Sequence, residues 1–123
     1  MNEHQSTEVY ISLDFKKHRI RIYKQTISQL GNPNYVHLLI DPNRMQIGLI
    51  GSSVRTHDAH KVNLEKLGPD NSYELYSKHL IDNIHGIYPD VDPRYSYRLV
   101  GQMIRGRSLA VFGLNTMQRY ELI

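Results

Sequence analysis

Two runs of this chain hold ten of its fifteen lysines and arginines and no acidic residue. Lys16, Lys17, Arg19, Arg21 and Lys24 lie between Asp14 and Asp41; Arg94, Arg98, Arg105, Arg107 and Arg119 lie between Asp92 and Glu121. The formal net charge is only +3, so the remaining residues carry −7 and the cations are segregated. Clustered guanidinium and ammonium groups raise the local potential even on a nearly neutral chain, and their chemistry is the neutralisation of phosphates with release of counterions. Eight residues are therefore the expected contacts to duplex DNA: Lys16, Lys17, Arg19, Arg21 and Lys24 first, then Arg98, Arg105 and Arg107.

Other chemistries find less support. His57-Asp58-Ala59-His60 brings two histidines and a carboxylate together, but His4, His18, His37, His79 and His85 have no spacing that completes a zinc or iron set, and exposed loop histidines are the expectation. There is no cysteine, no Gly-x-Ser-x-Gly elbow and no Gly-x-x-x-x-Gly-Lys-Ser/Thr or Gly-x-Gly-x-x-Gly loop. No enzyme, metal or cofactor is expected. Single-stranded RNA ranks below duplex DNA, because the Lys/Arg-Gly-Phe strand signature of an RNA-recognition sheet is missing. Nine tyrosines and no tryptophan supply the alternative. Tyr73, Tyr76, Tyr88, Tyr95 and Tyr97 crowd the second half, as in a phage or mobile-element accessory protein that binds a host protein through that half. Core packing is the plainer role, expected more for Tyr76 and Tyr97 than for Tyr88.

The elements that must position these groups follow from periodicity. Val9, Ile11 and Leu13 alternate with polar neighbours, and Ile20 and Ile22 alternate with Arg19, Arg21 and Tyr23, which reads as a hairpin whose second strand displays its arginines. A short helix over Lys24–Leu30 is ended by Gly31. Tyr35–Ile40 and Met45–Ile50 form a second hairpin about the Asp41-Pro42-Asn43-Arg44 turn. Residues 51–60 are a loop, and Asn71 with Glu74 has capping-box spacing before an apolar stripe from Tyr73 to Ile84, predicting a helix. The segment from Asp41 to Asp92 nets −3, which argues against a place on a DNA face. Tyr95–Val100 and Ser108–Leu114 form a third hairpin, and Asn115 with Gln118 predicts a last short helix.

The run Arg19-Ile20-Arg21-Ile22-Tyr23-Lys24, followed by Leu30-Gly31 and the hairpin about Asp41-Pro42, resembles the AbrB and SpoVT swapped-hairpin family of bacterial transcription regulators. The resemblance covers residues 9–50. It implies a homodimer of interleaved hairpins with basic residues on DNA, the arginine opening the second strand carrying over onto Arg19. Where that family has proline this chain has Tyr23, and where it has basic helix residues this chain has Ile27 and Ser28.

The expectation is one α+β domain spanning residues 1–123. Two hairpin-plus-short-helix units, 9–50 and 93–123, flank an acidic loop-and-helix insert at 51–92, and the resemblance implies a swapped-hairpin dimeric barrel. Its expected role is a cytoplasmic DNA-binding regulator. The chain has no apolar run of the roughly 20 residues that span a bilayer, so no membrane partner is expected.

Overall fold

The computed structural model describes residues 8–68 and 71–120, the last by its backbone alone. In chain order the elements are β1 (Glu8–Asp14), β2 (Arg19–Tyr23), α1 (Lys24–Gln29), β3 (Tyr35–Asp41), β4 (Gln46–Ser52), β5 (His60–Lys61), β6 (Ser72–Tyr76), α2 (Lys78–Ile87), β7 (Ser96–Met103), β8 (Leu109–Gly113) and β9 (Gln118–Tyr120). Short 3-10 turns occupy Leu64–Lys66 and Leu114–Thr116. All the strands belong to one antiparallel, barrel-like sheet in the order β5-β3-β4-β8-β7-β1-β2-β6, with β9 also paired to β7.

Alternation drives one face of this sheet inward. Val9, Ile11 and Leu13 of β1, Ile20 and Ile22 of β2, Ile47 and Leu49 of β4, Leu99 of β7 and Phe112 of β8 are fully buried. Each such side chain contributes about 1.5–3 kcal/mol by leaving water. The two helices add Ile27 from α1 and Ile81 and Ile84 from α2 to the same core. Gly101 has a specific reason to be glycine: it pairs with Phe112 across β7 and β8, and a Cβ there would lie 2.4 Å from the Phe112 ring.

The first two hairpins share a turn design. Asp14 and Asp41 each end a strand, four residues follow, and the fourth is left-handed: His18 at φ 53 and Met45 at φ 54. The Asp14 carboxylate accepts the Lys17 N–H at 3.1 Å, and that of Asp41 accepts the Asn43 and Arg44 N–H groups at 3.1 and 3.2 Å. α1 ends as expected, with Gly31 at φ 92.

Two expected helices are corrected. Ser72–Tyr76 forms β6 on the edge of β2, and helix begins only at Lys78, where Ser77 accepts the Leu80 N–H at 3.2 Å. Asn71 sits at φ 52, so it is no N-cap. At the other end, Asn115 belongs to a 3-10 turn and residues 118–120 are strand. β8 pairs with Gly101–Met103, β9 takes the same edge of β7 at Ser96–Arg98, and the intervening turn absorbs the extra residues. Backbone groups of β7 that a helix would have left unpaired are satisfied in this way. The third hairpin therefore lacks a following helix, and the repeat of two hairpin-plus-helix units does not hold. Residues 51–92 supply β5 and β6 to the sheet itself. The architecture is a mostly antiparallel sheet with two short helices.

Candidate nucleic-acid interface

The cross-strand register maps the outer face. One row runs Tyr76, Arg19, Asp14, Ser96 across β6, β2, β1 and β7; the next runs Glu74, Arg21, Ser12, Arg98. Arg19 and Arg21 therefore each have one carboxylate beside them in the row, Asp14 and Glu74 respectively. Arg19 Nη2 donates to Asp14 at 2.9 Å and its Nη1 to Glu74 at 3.3 Å; Arg21 reaches Glu74 Oε2 through Nε at 2.9 Å and Nη2 at 2.8 Å. Only 11 % of the Arg19 side chain and 8 % of that of Arg21 remain exposed. Burial works against the Arg19 cation, and the Tyr76 hydroxyl, Glu74 and Asp14 more than offset it, so its pKa stands above the usual arginine value.

This overturns the expectation that β2 displays its arginines to solvent. The sequence places them opposite the buried isoleucines, as expected, but the outer face is covered there by its own counter-charges. Two cations and two carboxylates form a neutral, largely enclosed cluster that ties β6, β2 and β1 together.

The other six expected contacts are exposed. Arg98 lies on the outer face of β7 with its guanidinium carbon 5.9 Å from the ring centres of both Tyr10 and Tyr23, a cation over two aromatic faces. Tyr23 is in turn held by a hydrogen bond between its hydroxyl and Ser12 Oγ. Lys16 and Lys17 project from the β1–β2 turn at one end of the strands. Lys24, Arg105 and Arg107 lie at the opposite end. There the Ser108 hydroxyl donates to the Leu30 carbonyl at 2.5 Å and the Ser108 carbonyl accepts the Gly51 N–H at 2.9 Å, fastening the β7–β8 turn to the end of α1. Among the described residues, Lys16, Lys17, Lys24, Arg105 and Arg107 form no ion pair. The two acid-free runs are thus brought together only in part: Lys24 shares one end of the sheet with Arg105 and Arg107, and Lys16 and Lys17 stand apart from that end by the length of β1, about 20 Å at 3.3 Å per residue.

The histidine loop has a local role. His37 Nδ1 lies 3.3 Å from Asp58, and Thr56 Oγ1 donates to the same carboxylate at 3.1 Å, which with the Asp58 backbone N–H lowers the Asp58 pKa. His60 is on β5 and half-buried rather than an exposed loop residue, and burial followed by the nearby His37 lowers its pKa. Among the described residues no group of three or more histidines and carboxylates is placed to hold a metal ion.

The tyrosines also divide. Tyr97 is buried and its hydroxyl accepts the Asp92 N–H at 2.7 Å, while Tyr73, Tyr88 and Tyr95 pack against the core. Tyr76, expected inside, is 62 % exposed. It alternates onto the outer face because residues 72–76 are strand. Sequence reasoning missed Glu74 and Asp14 as partners of the arginines. Asp14 was legible, since a four-residue turn sets it opposite Arg19; Glu74 was hidden by the helical reading of its segment. No helix among the described residues is long and apolar enough to cross a membrane. No family model matches the chain, and neither a curated protein nor a solved structure is significantly similar to it.

Proposed function

We propose that this protein binds duplex DNA through the end of the sheet that carries Lys24, Arg105 and Arg107, with Arg98 extending the contact along the outer face. The observation that supports this reading is the division of the cations. Arg19 and Arg21 are neutralised by Glu74 and Asp14, whereas Lys24 at the start of α1 and Arg105 and Arg107 on the β7–β8 turn face solvent without carboxylate partners among the described residues. Uncompensated cations on a short, fastened turn are suited to phosphate contacts, which position a protein on DNA without reading sequence. The resemblance of residues 9–50 to AbrB and SpoVT regulators favours transcriptional regulation as the use of such binding, and it implies, as the finer arrangement, hairpins exchanged between two chains.

Gel-shift titration of random duplex DNA at several salt concentrations tests the reading. Each phosphate contact contributes about 0.9 to the slope of log K against log salt. Replacing Lys24, Arg105 and Arg107 by glutamine should flatten that slope by roughly 2 to 3, while the Lys16→Gln, Lys17→Gln pair should change it by less. A parent protein with no measurable DNA retention at low salt, or a triple variant with an unchanged slope, refutes the proposal.

A further inference from the structure

At one side of the sheet β5 covers only Tyr35 and Val36 of β3, so from His37 to Asp41 that edge has no neighbour among the described residues. The Asn34 carbonyl accepts the Val62 N–H at 2.8 Å on this side. Strand alternation therefore turns the backbone groups of Val36, Leu38 and Ile40 toward the same edge. Val36 is served by β5, and the N–H and C=O groups of Leu38 and Ile40 are left open among the described residues. Leu38-Leu39-Ile40 is aliphatic, Leu39 is 52 % exposed, and none of the lysines, prolines or bulges that usually blunt an edge interrupts the strand before Pro42.

We propose that this edge pairs antiparallel with β3 of a second copy of the chain, about a two-fold axis through Leu39. The register is selected by the strand itself. Centring the axis on Leu38 would set Ile40 against Val36, which β5 already occupies, and centring it on Ile40 would set Leu38 against Pro42, which has no N–H. Centred on Leu39, Leu38 pairs with the partner's Ile40 and Ile40 with the partner's Leu38, satisfying all four open groups. His37 then lies opposite the partner's Asp41 on the outer face, and Asp41 opposite the partner's His37. A two-fold interface needs this kind of self-complementarity, and Leu38 and Ile40 stand one residue either side of the axis, so that each open N–H meets an open C=O of the other copy. A foreign strand would not require that symmetry. The proposal is independent of DNA binding.

Leu39 sits on the axis in a pair that is not hydrogen-bonded, where Cα atoms approach to about 4.5 Å, within reach of a disulfide. The chain has no cysteine, so Leu39→Cys introduces a single thiol. With oxidised glutathione it should crosslink rapidly to a covalent dimer, whereas Val54→Cys, at a site 61 % exposed, should not. In sedimentation equilibrium from micromolar to submillimolar concentration the parent should dimerise, and Leu39→Lys should raise the dissociation constant at least about tenfold with unchanged circular dichroism, because it sets two ammonium groups face to face. A parent that stays monomeric, or a Val54→Cys variant that crosslinks as fast as Leu39→Cys, overturns the proposal. A dimer unaffected by Leu39→Lys also overturns it, and indicates association through another surface such as exchanged hairpins.

Discussion

Replacing Glu74 by glutamine should unfold this protein more easily than any other single change on its outer face. Glu74 Oε2 accepts from Arg21 at 2.9 and 2.8 Å and from Arg19 at 3.3 Å, in a cluster whose side chains are 8–18 % exposed. Removing one member of a buried ion pair typically costs about 3–5 kcal/mol, because the remaining charge stays desolvated without its partner. Arg19 retains Asp14 at 2.9 Å, and glutamine keeps one acceptor oxygen, which together reduce the expected loss to about 2–3 kcal/mol. At roughly 3–5 °C per kcal/mol for a domain of this size, the melting temperature should fall by about 6–15 °C. Urea unfolding followed by circular dichroism should show a lower midpoint with an unchanged slope. A double-mutant cycle with Arg21→Met completes the test: removing both charges should cost less than the two single losses combined. If Glu74→Gln lies within about 0.5 kcal/mol of the parent, or the cycle is additive, the enclosed cluster does not stabilise the sheet and the two arginines return as candidates for ligand contact.

Two further outcomes follow from the same geometry. Gly101→Ala should destabilise by about 1–3 kcal/mol, since its Cβ would meet the Phe112 ring at 2.4 Å and the Val111 carbonyl at 2.8 Å; adding Phe112→Leu should recover part of that loss in the same unfolding assay. The Arg94 guanidinium grips the Asp92 carboxylate at 3.0 and 2.8 Å, and with the Arg94 backbone N–H it holds the Asp92 pKa at about 2, below the usual 3.8. A depressed carboxylate pKa contributes stability that is complete above the unfolded value and is lost as pH falls through the folded one, here between about 3.8 and 2. Carboxyl carbon NMR should show Asp92 titrating near 2, and Arg94→Ala should move the midpoint back toward 3.8; a midpoint unmoved by that change contradicts the assignment.

The strands that were legible are those whose neighbours in sequence are also their neighbours in the sheet. β1 with β2, β3 with β4, and β7 with β8 are hairpins, so a period of two and a turn signal were enough to place them. β6 is different. Tyr73, Leu75, Tyr76, Leu80, Ile81 and Ile84 satisfy a helical stripe as well as a strand followed by a helix, and only the open edge of β2, some fifty residues earlier, resolves the choice in favour of strand up to Tyr76. β9 is decided in the same way by the edge of β7.

The candidate site divides along the same line. The amino-acid sequence by itself determined where cations concentrate, which side of β2 carries Arg19 and Arg21, and where turns must fall, because charge, alternation and turn chemistry are local properties of the chain. Whether a cation is available is not local. It depends on which carboxylate lies within about 3 Å, and Glu74 reaches Arg21 only because β6 docks on β2. Tertiary pairing also separated Lys16 and Lys17 from Lys24, Arg105 and Arg107, and left one edge of β3 without a neighbour beyond Val36 among the described residues. Long-range strand pairing is settled by closing the sheet over its core and satisfying backbone hydrogen bonds. Those are requirements of the whole chain that no window of residues contains.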